Sequence, residues 1–282
     1  MLLLMNKIWE DIRKVLMDSM NNINFRSDFI KLFCILLTII TFSCAPTVNK
    51  KAMLKNQSKA IREVGVAYMQ DSNYSAALRE LLKAEALYSD DPDLQNNLGL
   101  VYMAKKKIDT AIIHFKKAIT IDPNYTAARN NLGTAYLAQK QWDVAIKIFL
   151  KVNEDLLFTT PHFPMTNLGW AYYNKGQFDT AEKYYKEALK SQPKYVIALR
   201  GLARTYTAKG EFTKALNTLD KALDIAPRFP PLYMDLAELY TASSNFNEAV
   251  ETYKKVIALF PDTDYADEAK KKTGELYLKS GT

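Results

Sequence analysis

Two histidines, two cysteines and a scatter of carboxylates are all the chain offers for proton, metal or nucleophile chemistry. Their spacing joins none of them into a site. His114 and His162 lie far apart, with no cysteine or carboxylate at metal-ligand spacing. Asp90-Asp91 and Glu154-Asp155 stand where helix caps are expected. There is no phosphate-binding loop, dinucleotide glycine pattern or nucleophile elbow. The sequence therefore assigns no catalytic residue, no cofactor, no metal site and no small-molecule substrate. What it does hold is residue types suited to gripping another chain. Asn97, Asn131 and Asn167 recur at near-constant spacing, and a side-chain amide donates and accepts at once, so a column of them can pair with an extended backbone. Leu100, Met103, Thr134 and Leu137 add adaptable, largely apolar surface. Trp170 and Tyr173 are aromatic anchors, and Arg200 and Arg204 turn the far end polar.

The elements that must position these residues follow from a unit that recurs about every 34 residues. Val64-Gly65, Leu98-Gly99, Leu132-Gly133, Leu168-Gly169, Leu202-Ala203 and Leu236-Ala237 fall in one column. Tyr68, Tyr102, Tyr136, Tyr172, Tyr206 and Tyr240 follow, then Ala77, Ala111, Ala145, Ala181, Ala215 and Ala249. Leu81, Phe115, Phe149, Tyr185, Leu219 and Tyr253 come next, and Pro123, Pro193, Pro227 and Pro261 close four copies. Offsets 0, +1 and +4 share one side of a helix, and proline forbids its continuation. The columns are those of the tetratricopeptide repeat, and the chain resembles that family. Six copies span 58–91, 92–125, 126–161, 162–195, 196–229 and 230–263, the third longer by two residues and carrying Pro161 and Pro164 at its end. No hairpin hides its apolar face alone, so the reading is all-α: a right-handed superhelical solenoid of six helix hairpins with a capping helix over 264–282. In that helix Ala266, Ala269, Leu276 and Tyr277 are expected to point inward.

In such an array the first helix of each hairpin lines the concave face, which places the Asn, Met, Trp and Arg positions above in one groove. Two alternatives stay open at this point. The Asn column can serve a ligand or bond across repeats, and Trp170 and Tyr173 can face the groove or pack on the neighbouring helix.

A net charge of +7 without a dense Lys/Arg block reads as a solvated basic surface rather than a nucleic-acid site. Both cysteines, Cys34 and Cys44, precede the repeats, which therefore need no disulfide. Residues 1–43 read as a signal peptide, with Met20 as a possible true start. Arg26 and Lys31 precede the apolar run Leu32–Phe42, which is too short to span a bilayer. Thr41-Phe42-Ser43-Cys44 resembles a bacterial lipobox, making Cys44 the lipidation site and 44–57 a polar tether. An ordinary cut, or an uncleaved anchor, is the alternative.

A lipobox-like signal, six repeats and the extended third copy before Asn167-Leu168-Gly169 together resemble the type IV pilus pilotins. That resemblance implies an outer-membrane lipoprotein facing the periplasm, with Ala45 after the cysteine favouring the outer over the inner membrane. It also implies a protein partner, an extended segment of a secretin-like subunit, whose localisation or multimer assembly it would aid. The other resemblance is to periplasmic adaptor lipoproteins of the NlpI type, which scaffold cell-wall enzymes.

Overall fold

The computed structural model describes residues 2–19, 50–155 and 159–280. Cys34, Cys44, the export-like segment and residues 44–49 of the expected tether lie outside the described residues. So do residues 156–158 of the extended third connection. The chain divides into two units, 1–53 and 54–282. In the first, α1 (Leu2–Ser19) is amphipathic, with Trp9 exposed.

From residue 50 on, helices alternate with short turns: α2 (Lys50–Gln70), α3 (Tyr74–Leu87), α4 (Pro92–Ala104), α5 (Ile108–Ile121), α6 (Thr126–Ala138), α7 (Trp142–Asn153), α8 (His162–Asn174), α9 (Phe178–Ser191), α10 (Val196–Ala208), α11 (Phe212–Ile225), α12 (Pro230–Ala242), α13 (Phe246–Leu259) and α14 (Asp264–Ser280). Among the described residues there are fourteen helices and no strand. Successive helices pack on each other, and the first helices of neighbouring hairpins also touch (α8 with α10, α10 with α12). The second unit is thus a solenoid of helical hairpins. Residues 50–57, which the sequence reading placed in the tether, are the opening turns of α2. Ser58 and Arg62 on that helix are buried, because Ser58 Oγ donates to Ala84 O at 2.8 Å and Arg62 reaches Asp91 at 2.6 Å.

The columns explain the hairpin. All six column alanines, from Ala77 to Ala249, are fully buried. A Cβ added at Gly99 would stand 2.4 Å from the Phe115 ring; at Gly133 it would be 2.6 Å from Phe149, and at Gly169 2.8 Å from Tyr185. The glycine is there to let the second helix close in. The hairpin turn is the same in every copy: the residue five positions after the column tyrosine donates its N–H to that tyrosine's carbonyl, as in Lys107 to Tyr102 O (2.8 Å) and Gln177 to Tyr172 O (2.9 Å). This closure forces the preceding residue into the left-handed region, occupied by Gly176 and Gly210 but also by Ser72, Lys106, Lys140 and Ser244. The sequence columns did not include that position, because four copies place no glycine there.

At the C-terminal end, Ala266, Ala269 and Leu276 of α14 are buried. Tyr277, expected inward, is 44% exposed at the edge of the face that Leu276 buries.

Candidate functional site

The groove positions named from sequence do not form one graded surface. Those in the second and third repeats are largely consumed by packing. Leu137, expected to face a partner, is buried in a cluster with Ala145, Ile146, Phe149, Leu168 and Ala171. Its side chain reaches across to the next hairpin, so it belongs to the inter-repeat core and not to the groove. Leu100 and Met103 are half-buried against Ala111, Ile112, Phe115, Leu132 and Ala135.

The amides are also engaged. Asn131 Nδ2 donates to Asn96 Oδ1 at 2.9 Å, and Asn167 Nδ2 approaches Thr134 Oγ1 at 3.4 Å. Asn97 and Thr134 are half-buried beside them. Deeper in, Gln95 is fully buried and gives Nε2 to Glu85 (2.9 Å) and to Ser89 O (3.0 Å). His114 Nδ1 lies 2.8 Å from Gln95 Oε1. That oxygen only accepts, so Nδ1 carries the proton. The His114 ring stacks on Tyr102, and burial pushes its pKa down. Of the two ways to read the Asn column, cross-repeat bonding is what Asn131 does.

The fourth and fifth repeats differ. Here α8 supplies Thr166, Asn167 and Trp170, α10 supplies Ile197, Arg200, Gly201 and Arg204, and Tyr185 rises from α9 to form the floor of a cleft of about 260 Å³. Trp170 and Tyr173 stack on each other, with centroids 5.8 Å apart and planes 10° from parallel. Arg204 lies over both, its Cζ 5.2 Å from the Trp170 centroid and 5.3 Å from that of Tyr173. This is cation–π geometry. Both rings therefore pack on the neighbouring helix's arginine, and Trp170 also lines the cleft.

Arg200 is held by Asp235 of α12: Nε donates to Oδ2 at 2.5 Å and a terminal nitrogen to Oδ1 at 3.2 Å. Asp235 is 5% exposed. Burial pushes its carboxyl above the usual range, with the Arg200 bond pulling the other way. Arg204 Nε stands 3.9 Å from the same carboxylate, beyond hydrogen-bond distance. Phe163 and Ile197 add exposed apolar surface on α8 and α10, and His162, Phe163 and Tyr195 form an aromatic cluster beside them.

Of the positions named from sequence, Asn167, Trp170, Arg200 and Arg204 line this cleft, and Tyr173 stacks beside Trp170. Sequence reasoning missed Tyr185, which was assigned to the core column alone, and Gly201. The signal for Gly201 was present: it occupies the column of Asn97, Asn131 and Asn167, and is where that column breaks. A Cβ there would lie 2.3 Å from the Tyr185 ring and 2.6 Å from its hydroxyl oxygen. Only glycine leaves the floor of the cleft open. Among the described residues no three His, Cys, Asp or Glu side chains cluster as metal ligands.

Models of the tetratricopeptide repeat match residues 92–125, 114–147, 166–228 and 207–272. Comparison of the sequence with curated proteins finds no match. Among solved structures, PilW, a type IV pilus biogenesis factor, is similar at 23% identity with a TM-score of 0.69, covering 75% of this chain and 97% of that one. PilF of Pseudomonas aeruginosa is similar at 18% identity and a TM-score of 0.64, covering 77% of this chain and 99% of that one. A tetratricopeptide-repeat protein of Parabacteroides merdae aligns at 16% identity, a TM-score of 0.63, and 88% and 95% coverage.

Proposed function

Taking the chain as a solenoid of tetratricopeptide repeats, we propose that it is a non-enzymatic adaptor of type IV pilus biogenesis, anchored by lipid on Cys44 at the periplasmic face of the outer membrane. The observation that carries this reading is the superposition on PilW and PilF over nearly their whole lengths. An alignment over 97% and 99% of those chains is a stronger match than a shared pair of repeats. The cleft between α8 and α10 supports the binding half of the reading, since Trp170, Tyr173 and Arg204 form a preorganised aromatic and cationic anchor of the kind that dominates interfaces.

The mechanism is tethered capture. The acyl chains of a lipidated cysteine hold the solenoid at the membrane, where one chain alone would bind only marginally. The cleft holds an extended segment of a secretin subunit, keeping it from off-pathway contacts until the multimer assembles. The array gives orientation and local concentration, and no bond is made or broken.

The experiment is Cys44→Ala in cells, followed by fractionation and by assay of heat-resistant secretin multimers. The reading expects the protein to leave the outer membrane and the multimers to fall. Normal multimers in the outer membrane of that variant would refute tethered capture. Crosslinking from position 170 should recover the secretin; recovery of a cell-wall hydrolase or synthase instead would replace the pilus assignment with a wall adaptor.

A further inference from the structure

The helix α2 is longer than its hairpin needs. Ser58 Oγ donates to Ala84 O at 2.8 Å and approaches Tyr88 O at 3.4 Å, so α3 ends level with Ser58. The turns of α2 before Ser58 stand beyond that partner, and of residues 50–57 all but Leu54 are exposed.

The charge of this projecting end is one-sided. From Ala45 to Arg62 the chain carries Lys50, Lys51, Lys55, Lys59 and Arg62 and no aspartate or glutamate. Arg62 serves the fold: it is buried and gathers Glu63, Asp91 and Asp93. Those carboxylates, and Asp90 beside them, stand at the level of Ser58 to Glu63. From Lys55 to Arg62 is about 10 Å of helix, roughly one screening length at moderate salt. The four lysines are exposed, Lys55 lying over the Tyr88 ring at 5.9 Å. Lysines in a first helical turn oppose the positive end of the helix dipole, so Lys50 and Lys51 do not stabilise the helix itself. The reach is short as well. Cys44 precedes Lys50 by six residues, a span of at most about 20 Å when fully extended.

We infer that the opening turns of α2 form a basic foot that rests on an anionic phospholipid surface, with Lys50, Lys51, Lys55 and Lys59 meeting lipid phosphates. A lysine cluster beside an acyl anchor supplies the second of two attachment signals. Because α2 runs unbroken into the first hairpin, contact through it sets the angle of the array at the membrane, where a flexible tether alone would let it swing. The inference rests on the proposed membrane anchoring and adds the headgroup chemistry that the membrane must present.

The test reconstitutes the full-length protein, as cells make it, into vesicles of phosphatidylcholine alone and of phosphatidylcholine mixed with phosphatidylglycerol. Amide hydrogen exchange is then read by mass spectrometry. Residues 50–57 should exchange about fivefold more slowly, or slower still, on the anionic vesicles, the weight of a single lysine at such a surface. The difference should vanish in salt of about 1 M, where the screening length falls to about 3 Å. Changing Lys50, Lys51, Lys55 and Lys59 together to glutamine, a residue of similar helix propensity, should abolish the slowing and leave the melting temperature unchanged.

Equal exchange on the two kinds of vesicle, slowing that survives the glutamine variant, or equal slowing in α14 at the other end of the array would each overturn the foot. The mass of the Cys44 peptide in the same digests reads the anchor separately. Acyl chains without lipid-dependent slowing would leave the anchor and remove the foot, and slowing without acyl chains would do the reverse.

Discussion

The second and third hairpins and the fourth and fifth are built from the same columns, but they use their concave positions in opposite ways. In the former, polar side chains close on one another across repeats: Asn131 on Asn96, Gln95 on Glu85 and His114, Lys117 on Glu85 at 3.0 Å. In the latter, the amide column ends at Gly201, and the space a side chain would have filled becomes the mouth of a cleft over Tyr185. The lesson is that a repeat protein can make a site by subtraction. A satisfied stack needs one polar residue per repeat; an open cleft needs one of them missing.

The sharpest way to break the contrast is to restore the missing residue. Gly201→Asn continues the upstream column but drives its Cβ to within 2.3 Å of the Tyr185 ring. Overpacking of this kind costs about 1–3 kcal/mol. We expect a melting temperature lower by several degrees and loss of peptide binding, whereas Gly201→Ala should show the smaller version of both.

Next in size is Asp235→Ala. It strands Arg200, which is 29% exposed at its side chain and so is partly relieved by water. We expect about 2 kcal/mol of destabilisation in urea, below the 3–5 kcal/mol of a wholly buried broken pair. Removing the upstream amide bond should cost less. Asn131→Ala leaves Asn96 Oδ1 without its donor, and about 1 kcal/mol is expected by the same measurement, with no effect on partner binding.

The smallest effect is a dependence on acid. Glu182 on α9 is partly buried, which alone would raise its pKa, but hydrogen bonds from Lys186 and Lys209 outweigh burial and hold it at about 2, against an ordinary 4.5. A carboxylate depressed in the fold contributes stability that is fully present above pH 4.5 and is lost as pH falls from 4.5 toward about 2. Lys209 also reaches Asp179 at 2.8 Å and Glu211 at 3.1 Å, joining the fourth hairpin to the fifth. Lys209→Met should flatten that part of the stability–pH profile and leave the region above pH 5 parallel to the parent.

The repeat itself was legible because its determinants are local and periodic. A small residue beside Leu or Val, a tyrosine one turn on and an alanine in the second helix recur six times, and each marks a contact inside its own hairpin. The cleft was legible in part. Trp170 and Arg204 stand out by residue type, but Tyr185 reads as one more core aromatic. Its ring becomes the floor of a cleft only through Gly201, a residue of the next repeat. Leu137 and Tyr277 went wrong for a related reason. Helical periodicity gives the face a residue occupies, and what covers that face is set by a neighbour whose angle of approach the single repeat does not encode.

By itself, then, the amino-acid order determined the hairpins, their number and the closeness of their helices, because van der Waals contact between adjacent turns leaves a regular trace in residue size. Only the tertiary structure decided which concave positions are spent on packing and which stay open. That outcome depends on side chains some 30 residues apart competing for the same space, and on whether each buried donor finds an acceptor there.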